Sequence, residues 1–244
     1  MARKNTPQNK KTISKLSSVK KTMSETHTPT TAKVSVIIAH WAQDAERSET
    51  MRMSLTSLFQ TAPNAEIFIV DNGGSLLDSQ WLLEQASSGF IACYIRNRNN
   101  MHFGYARNQA LKLCEGEYIV IADNDILFQH GWLEECIAFL ERNPGKYIAT
   151  PIAVDQMNTK DSRWNGSVDG WRLNYRAGSN CFVMRRSDWE EIGFFEAHRL
   201  AGSLFCNKFV KLGYCVAVMP KSRVVDMGFR KGFNFKVDIP FRAL

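Results

Sequence analysis

The 244-residue chain is 44% hydrophobic and 23% charged, which bounds it to one large or two small globular domains and excludes a collagen-like or low-complexity chain. Its net charge of +7 is unevenly placed: residues 1–32 hold seven Lys/Arg against Glu25, leaving 24 basic and 23 acidic residues in the remainder. That near-neutral remainder argues against a broadly electropositive nucleic-acid groove, and no run approaches the roughly 18 apolar residues of a membrane-spanning helix.

Residues 1–32 are rich in Ser, Thr, Lys and Asn, with only Ile13, Leu16 and Val19 scattered among them. Such a segment buries too little apolar surface to offset the entropy of ordering, and is expected to be a disordered basic tail. It lacks the continuous apolar stretch of a secretory signal. Its charge would suit an anionic membrane surface or nucleic acid; a solubilising extension explains it equally well. The six cysteines are scattered without a Cys-x-x-Cys pair, which fits a reducing, cytoplasmic location, with a peripheral membrane position open through the tail.

A first strand is expected over residues 33–39, ending at His40-Trp41. Met51, Leu55, Leu58 and Phe59 then share one helical face, and Pro63 stops that helix. The second strand, residues 66–70, ends in Asp71-Asn72-Gly73-Gly74. A helix over about 76–86 leads to a third strand at 91–95, a polar loop at 96–104, and a helix through Arg107 and Asn108. A fourth strand, Ile119-Val120-Ile121-Ala122, ends abruptly in Asp123-Asn124-Asp125. The helix after it runs to Asn143-Pro144-Gly145. Four strand–helix units in succession predict an α/β fold with a mostly parallel, doubly wound sheet. Beyond Tyr147 the pattern loosens. Residues 147–150, 181–184 and 214–219 are strand-like, short helices are expected at 187–192 and around Phe205, and about thirty polar residues with Trp164 and Trp171 intervene. Interleaved aromatic and polar residues suit a sugar-binding wall, and make Trp171 a candidate there.

In such a sheet His40, Asp71, Asp123 and Asp125 would gather at the carboxyl edge, where open α/β sheets bind ligands. Two carboxylates one residue apart repel unless a cation lies between them, and a divalent ion carrying phosphate oxygens is the usual solution. Taken alone, Asp-x-Asp is equally a solvated turn capping the next helix. No Gly-x-x-x-x-Gly-Lys-Ser/Thr or Gly-x-Gly-x-x-Gly is present, so the carboxylate–metal route to phosphate is the one left.

The order of motifs resembles the family 2 glycosyltransferases with the A-type nucleotide-sugar-binding fold. The resemblance rests on Val34-Ser35-Val36-Ile37-Ile38, Ile69-Val70-Asp71-Asn72-Gly73-Gly74-Ser75, Gly104-Tyr105-Ala106-Arg107-Asn108-Gln109-Ala110-Leu111, Asp123-Asn124-Asp125 and Ala177-Gly178-Ser179-Asn180-Cys181-Phe182. It covers roughly residues 33–228, divided into a donor-binding half at 33–145 and an acceptor-side half at 146–228, with a C-terminal extension at 229–244. It implies a transferase that moves a sugar from a nucleoside-diphosphate sugar to a hydroxyl acceptor such as a glycan, using Mn2+ or Mg2+. On this resemblance His40, Asp71, Arg107, Asn108 and Asp123 serve the donor. Asp123, Asp125 and Asp226 serve the metal, with Asp226 standing where the family often has histidine. Gly178, Ser179 and Asn180, with Trp171, lie on the acceptor side.

One departure stands out. Inverting members usually carry Glu-Asp before the last core helix, the Asp acting as general base; here those positions are Ala201-Gly202. Glu196, His198 and Asp169 are the candidate bases. A retaining route, or a silent domain that binds nucleotide sugar without turnover, would also account for the gap. A sugar-nucleotide-forming nucleotidyltransferase is a weaker fit, because His40-Trp41-Ala42-Gln43 replaces the Gly-rich loop that such enzymes carry after strand one.

Overall fold

The computed structural model describes residues 32–151, 164–175, 180–196 and 200–228. In chain order the elements are β1 (Val34–His40), α1 (Ala45–Thr61), β2 (Glu66–Asp71), α2 (Leu76–Ser87), β3 (Cys93–Arg96), α3 (Phe103–Leu111), β4 (Tyr118–Ala122), β5 (Ile126–Phe128), α4 (Trp132–Arg142) and β6 (Tyr147–Thr150). They continue as β7 (Trp164–Val168), β8 (Trp171–Asn174), β9 (Cys181–Arg185), α5 (Arg186–Ile192), α6 (Ala201–Lys211), β10 (Cys215–Val218) and β11 (Val224–Asp226).

The helices start where the sequence supplies a cap. The Asp44 carboxylate accepts from the Arg47 N–H at α1, and Ser75 Oγ from the Asp78 N–H at α2; each takes up an amide that the first turn leaves without a helical partner. Met51, Leu55 and Leu58 on α1 are fully buried against the sheet. α3 covers the opposite face through Ala106, Ala110 and Leu111, which pack with Ile37, Ile119 and Ile121. Strands covered on both sides must be apolar throughout, hence Val36, Ile37 and Ile38 in β1 and Ile119, Val120 and Ile121 in β4, all inaccessible to solvent.

Among the described residues, nine strands form one sheet in the order β3-β2-β1-β4-β9-β6-β10-β8-β7. β3, β2, β1 and β4 are parallel, as the strand–helix succession predicts. β9 enters antiparallel between β4 and β6, with Ala122 opposite Cys181. The mixed part therefore belongs to the second half of the chain, and its insertion beside β4 brings residue 180 to the end of that strand.

A second pairing decides where Asp226 lies. Three-residue β5 pairs antiparallel with β11, Asp226 opposite Ile126, and the Met227 N–H donates to the Asp125 carbonyl at 2.8 Å. β5 is itself fixed on α1, whose Ser57 Oγ accepts from the Phe128 N–H at 3.0 Å. The β7–β8 hairpin, at the far edge of the sheet, lies within the polar stretch between β6 and β9.

Candidate functional site

Parallel β1, β2 and β4 end at one edge, so His40, Asp71 and Asp123 follow from register alone: His40 pairs with Asp71 and Ile38 with Ala122. What each side chain does there differs from the simplest expectation. The Asp71 carboxylate is inaccessible and accepts from the Gly74 N–H (2.8 Å), Ser79 Oγ (2.5 Å), Tyr94 OH (3.0 Å) and Arg96 Nη1 (2.5 Å). In this structure it builds the edge from beneath. Its hydrogen bonds hold the Gly73-Gly74 turn, where φ is +84° at Gly73 and an added Cβ would stand 2.9 Å from the Asn99 carbonyl carbon.

His40 is likewise 1% exposed, which corrects the expectation that it touches a donor directly. Its Nδ1 accepts from Asn124 Nδ2 and its Nε2 faces Asp78.

The β4 end is built differently. Arg107, buried on α3, pairs through Nη2 with Asp123 and reaches the Ala122 carbonyl at 3.3 Å. Its guanidinium lies against the rings of both Phe103 and Phe195, 5.0 and 5.5 Å from their centroids, a geometry that favours a cation. Asn108 clamps the same region. Its Nδ2 donates to the Phe195 carbonyl (2.8 Å) and its Oδ1 accepts from the Phe195 N–H (2.9 Å). Both residues thus frame the Asp123 end, and Asn108 acts through the backbone of 195–196.

Asp123, Asp125 and Asp226 come together here. Burial raises the Asp125 carboxyl to about 7, and the neighbouring Asp123 and Asp226 charges add to the rise, against a weaker pull from Arg107. Burial likewise raises Asp123, with Arg107 opposing. Asp226 is oriented by Asn180 Nδ2 and by the Gly228 N–H, the latter at 2.9 Å. A Cβ on Gly228 would run into Asp125 Oδ2 and stand 3.1 Å from Asp226 Oδ1, so the glycine leaves a cradle between two acids. An all-oxygen, like-charged cluster with such a gap fits a hard divalent cation. As the side chains stand, no three His, Cys, Asp or Glu among the described residues converge closely enough to hold one; closing on an ion would take side-chain rotation.

Asn180, assigned by resemblance to the acceptor, is tied to this cluster. Its carbonyl accepts the Asp123 N–H at 2.8 Å while its amide bonds Asp226. Two other expectations are corrected. Trp171 is core: it is 5% exposed and stacks on Phe139 with centroids 4.5 Å apart. Asp169 closes the β7–β8 turn onto the end of α4, accepting from Asn143 Nδ2 and Arg142 Nε, and is committed there. Glu196 is half exposed and pairs with Lys208 at 2.9 Å, beside the start of α3, where its carbonyl approaches Gly104. Gly178, Ser179, His198 and most of the basic tail lie outside the described residues, as does the C-terminal extension.

Sequence reasoning missed the amide network beside the site. Asn72 Oδ1 accepts from Asn97 Nδ2 and the Met101 N–H, both at 3.0 Å, and Asn97 exchanges two hydrogen bonds with Gln109. Asn97-Arg98-Asn99-Asn100 in a loop between a strand and a helix was the available signal, since such amides satisfy loop backbone that no ladder covers.

Known proteins resemble this chain in sequence and in fold. The model of a family described as glycosyl transferase family 2 matches residues 35–202. A protein of Haemophilus influenzae named as an uncharacterized glycosyltransferase is 26% identical over 126 residues, 51% of this chain and 40% of the relative. One from Rickettsia bellii with the same name is 33% identical over 112 residues, 46% of this chain and 16% of the relative. The chain therefore spans well under half the length of either. The fold is shared with the mannosyltransferase PcManGT from Pyrobaculum calidifontis, solved in complex with GDP-Man and Mn2+ (TM-score 0.66, 18% identity, 82% of this chain and 58% of that one). It is also shared with GalNAc-T7, solved with UDP, GalNAc and Mn2+ (TM-score 0.63, 15% identity, 79% and 43%).

Proposed function

Because the chain belongs to glycosyl transferase family 2, we propose that it is a metal-dependent glycosyltransferase that moves a sugar from a nucleoside-diphosphate sugar to an acceptor hydroxyl, in glycan or polysaccharide synthesis. The observation that carries this reading is the cluster of Asp123, Asp125 and Asp226 at the sheet's carboxyl edge, with Arg107 its closest counter-charge. Solved relatives of the same fold hold Mn2+ beside GDP-Man or UDP, which supports Mn2+ or Mg2+ here.

Asp125 and Asp226 would hold the ion across the Gly228 gap, with Asp123 beside them. A divalent cation supplies Lewis-acid stabilisation of the departing diphosphate. The chain's own residues do the rest. Arg107 opposes the burial that raises the Asp123 carboxyl and would orient it toward the donor ribose. Asp71, through Gly73-Gly74, and Asn72, through the 97–101 loop, shape the wall on which the nucleotide lies. Glu196 is the base we assign to the acceptor hydroxyl: it follows Phe195, whose ring lies 5.5 Å from the Arg107 guanidinium, and its carbonyl approaches Gly104 at the start of α3. Residues 33–145 would form the donor half and 146–228 the acceptor half.

No helix among the described residues is long and apolar enough to cross a membrane, and no disulfide joins the six cysteines; both are compatible with a cytoplasmic protein. The 1–32 tail would then recruit the enzyme to an anionic membrane or nucleic acid. One observation favours a second reading, a silent nucleotide-sugar-binding domain: buried Ala201 and Gly202 open α6 where inverting relatives carry Glu-Asp.

Incubation with Mn2+ and a panel of UDP-, GDP- and dTDP-sugars separates the two. An enzyme hydrolyses its donor slowly even without acceptor; metal-dependent binding with no hydrolysis of any donor supports the silent domain. Absence of any Mn2+-dependent nucleotide binding would sink both.

A further inference from the structure

Asn124, between the two acids of the β4 turn, reaches beneath them and donates through Nδ2 to His40 Nδ1 at 2.9 Å. A ring nitrogen that accepts carries no proton, so the imidazole proton sits on Nε2, which faces Asp78 Oδ2 at 3.4 Å. Asp78 is inaccessible and anchored from α1 by Ser48 Oγ at 2.7 Å and Arg52 Nη2 at 3.4 Å. A Cβ on Gly74 would stand 3.2 Å from His40 Nε2, so the β2 turn packs on the same ring. Three polar side chains from β1, α2 and the β4–β5 turn thus form one chain, buried at Asp78 and His40 and partly exposed at Asn124.

An acid and an imidazole inaccessible to solvent are costly to desolvate, and an apolar pair of similar volume would often be as stable or more so. What the polar version adds is a fixed direction: fully satisfied buried networks hold one arrangement. Asn124 pinned on the inner side leaves Asp123 toward Arg107 and Asp125 toward Asp226.

We propose that Asp78, His40 and Asn124 are positioning residues, a hydrogen-bonded chain that orients the Asp123–Asn124–Asp125 turn for its cation and donor diphosphate. This rests on the donor-site reading of that turn and goes beyond it, because the polar atoms that make the chain are turned to one another.

The test uses the full chain. His40→Leu removes both ring hydrogen bonds while keeping an apolar filler; His40→Gln retains one acceptor and one donor. Hydrogen exchange at the Asn124 and Asp125 backbone amides should quicken about tenfold in His40→Leu and in Asn124→Ala, with β1 and β4 amides unchanged. Mn2+ affinity, read by spin-resonance titration with UDP or GDP present, should fall about tenfold in each, the usual scale for groups that orient a metal ligand. It should fall no further in the double variant, and His40→Gln should recover most of it. Unchanged turn exchange, or losses that add in the double variant, would overturn the proposal. If the wild-type chain binds no Mn2+, the donor-site reading fails, and the exchange comparison still decides whether the chain orients the turn. Asn124→Ala, at a partly exposed turn, carries that comparison should His40→Leu not fold.

Discussion

At the end of β2 and in the first turn of α2 that follows it, Asp71 and Asp78 are buried, and between them accept seven hydrogen bonds from Gly74, Ser79, Tyr94, Arg96, Ser48, His40 and Arg52. At the end of β4, across β1 from β2, the charges of Asp123, Asp125 and Asp226 act on one another, with Arg107, Asn180 and the Gly228 N–H as their partners. The same residue type at the same sheet edge is frame in one place and unfinished site in the other. Titration separates them. Burial alone would raise Asp78, yet hydrogen bonds from His40, Ser48 and Ser75 hold it down at about 2, whereas Asp125 is pushed up to about 7. A carboxylate completed by protein donors has no use for a ligand. One surrounded by other carboxylates does.

The largest effect should come from breaking the frame. Asp71→Ala leaves the Gly74, Ser79 and Tyr94 donors without their acceptor, and each buried donor left unsatisfied costs about 1–3 kcal/mol, while Arg96 is partly exposed and resolvates. Urea unfolding should register that loss, and a change under about 1 kcal/mol would place Asp71 among the surface pairs instead. Asp125→Ala is the counterpart in the site. It removes like-charge repulsion, so the metal-free protein should unfold at the same temperature or higher. Mn2+-dependent nucleotide affinity should drop about 100-fold or more, beyond the scale of groups behind a ligand. Retention of wild-type affinity in calorimetry would remove Asp125 from the site.

The two regions should also depend on pH with opposite signs. Asp78 is lowered on folding, so its contribution is present above its unfolded value of 3.8 and is lost as pH falls toward 2. Asp125 is raised. Its contribution in the metal-free protein is fully present below pH 3.8, where both states are protonated, and is lost as pH rises to about 7, where the folded carboxyl finally ionises. Thermal unfolding from pH 3 to 8 should show that decline flattened in Asp125→Asn. Mn2+ must displace the proton, so the temperature shift it produces should be large at pH 8 and small at pH 5. Equal shifts at both would mean that the ion binds elsewhere.

This contrast was only half legible in the sequence. Long apolar runs identified β1, β2 and β4, the last two ending in acids and β1 in His40, because a strand covered on both faces leaves an unbroken signature, and parallel register then fixed His40, Asp71 and Asp123 to one edge. Nothing local told Asp71 from Asp125. Their difference lies in Tyr94 and Arg96 on β3 and in Asp226 on β11, partners about 20 to 100 residues away. β5 and β11 are three residues each, too short for any periodicity, yet they bring Asp226 to the site. The β7–β8 hairpin did carry a signal, Asp169-Gly170 between Val168 and Trp171, the kind of dipeptide that closes a hairpin. Trp171 is core because that hairpin folds it onto Phe139.

The smallest effect is expected at Asn180, and it decides how the site is tied together. Its carbonyl pairs with the Asp123 N–H as an extension of the β4–β9 ladder, and its amide holds Asp226. Asn180→Ala keeps the first bond and loses the second, so unfolding should barely change. Asp226 would be left to the Gly228 N–H alone and free to rotate, and Mn2+ affinity should weaken about tenfold. If Mn2+ affinity holds and the acceptor KM rises instead, Asn180 belongs to the acceptor, and Asp226 needs no help to reach the metal. If Mn2+ affinity falls with the acceptor KM unchanged, the antiparallel β9 does more than widen the sheet. It supplies the hinge through which the acceptor-side half of the chain completes a cation site begun by the donor-side half.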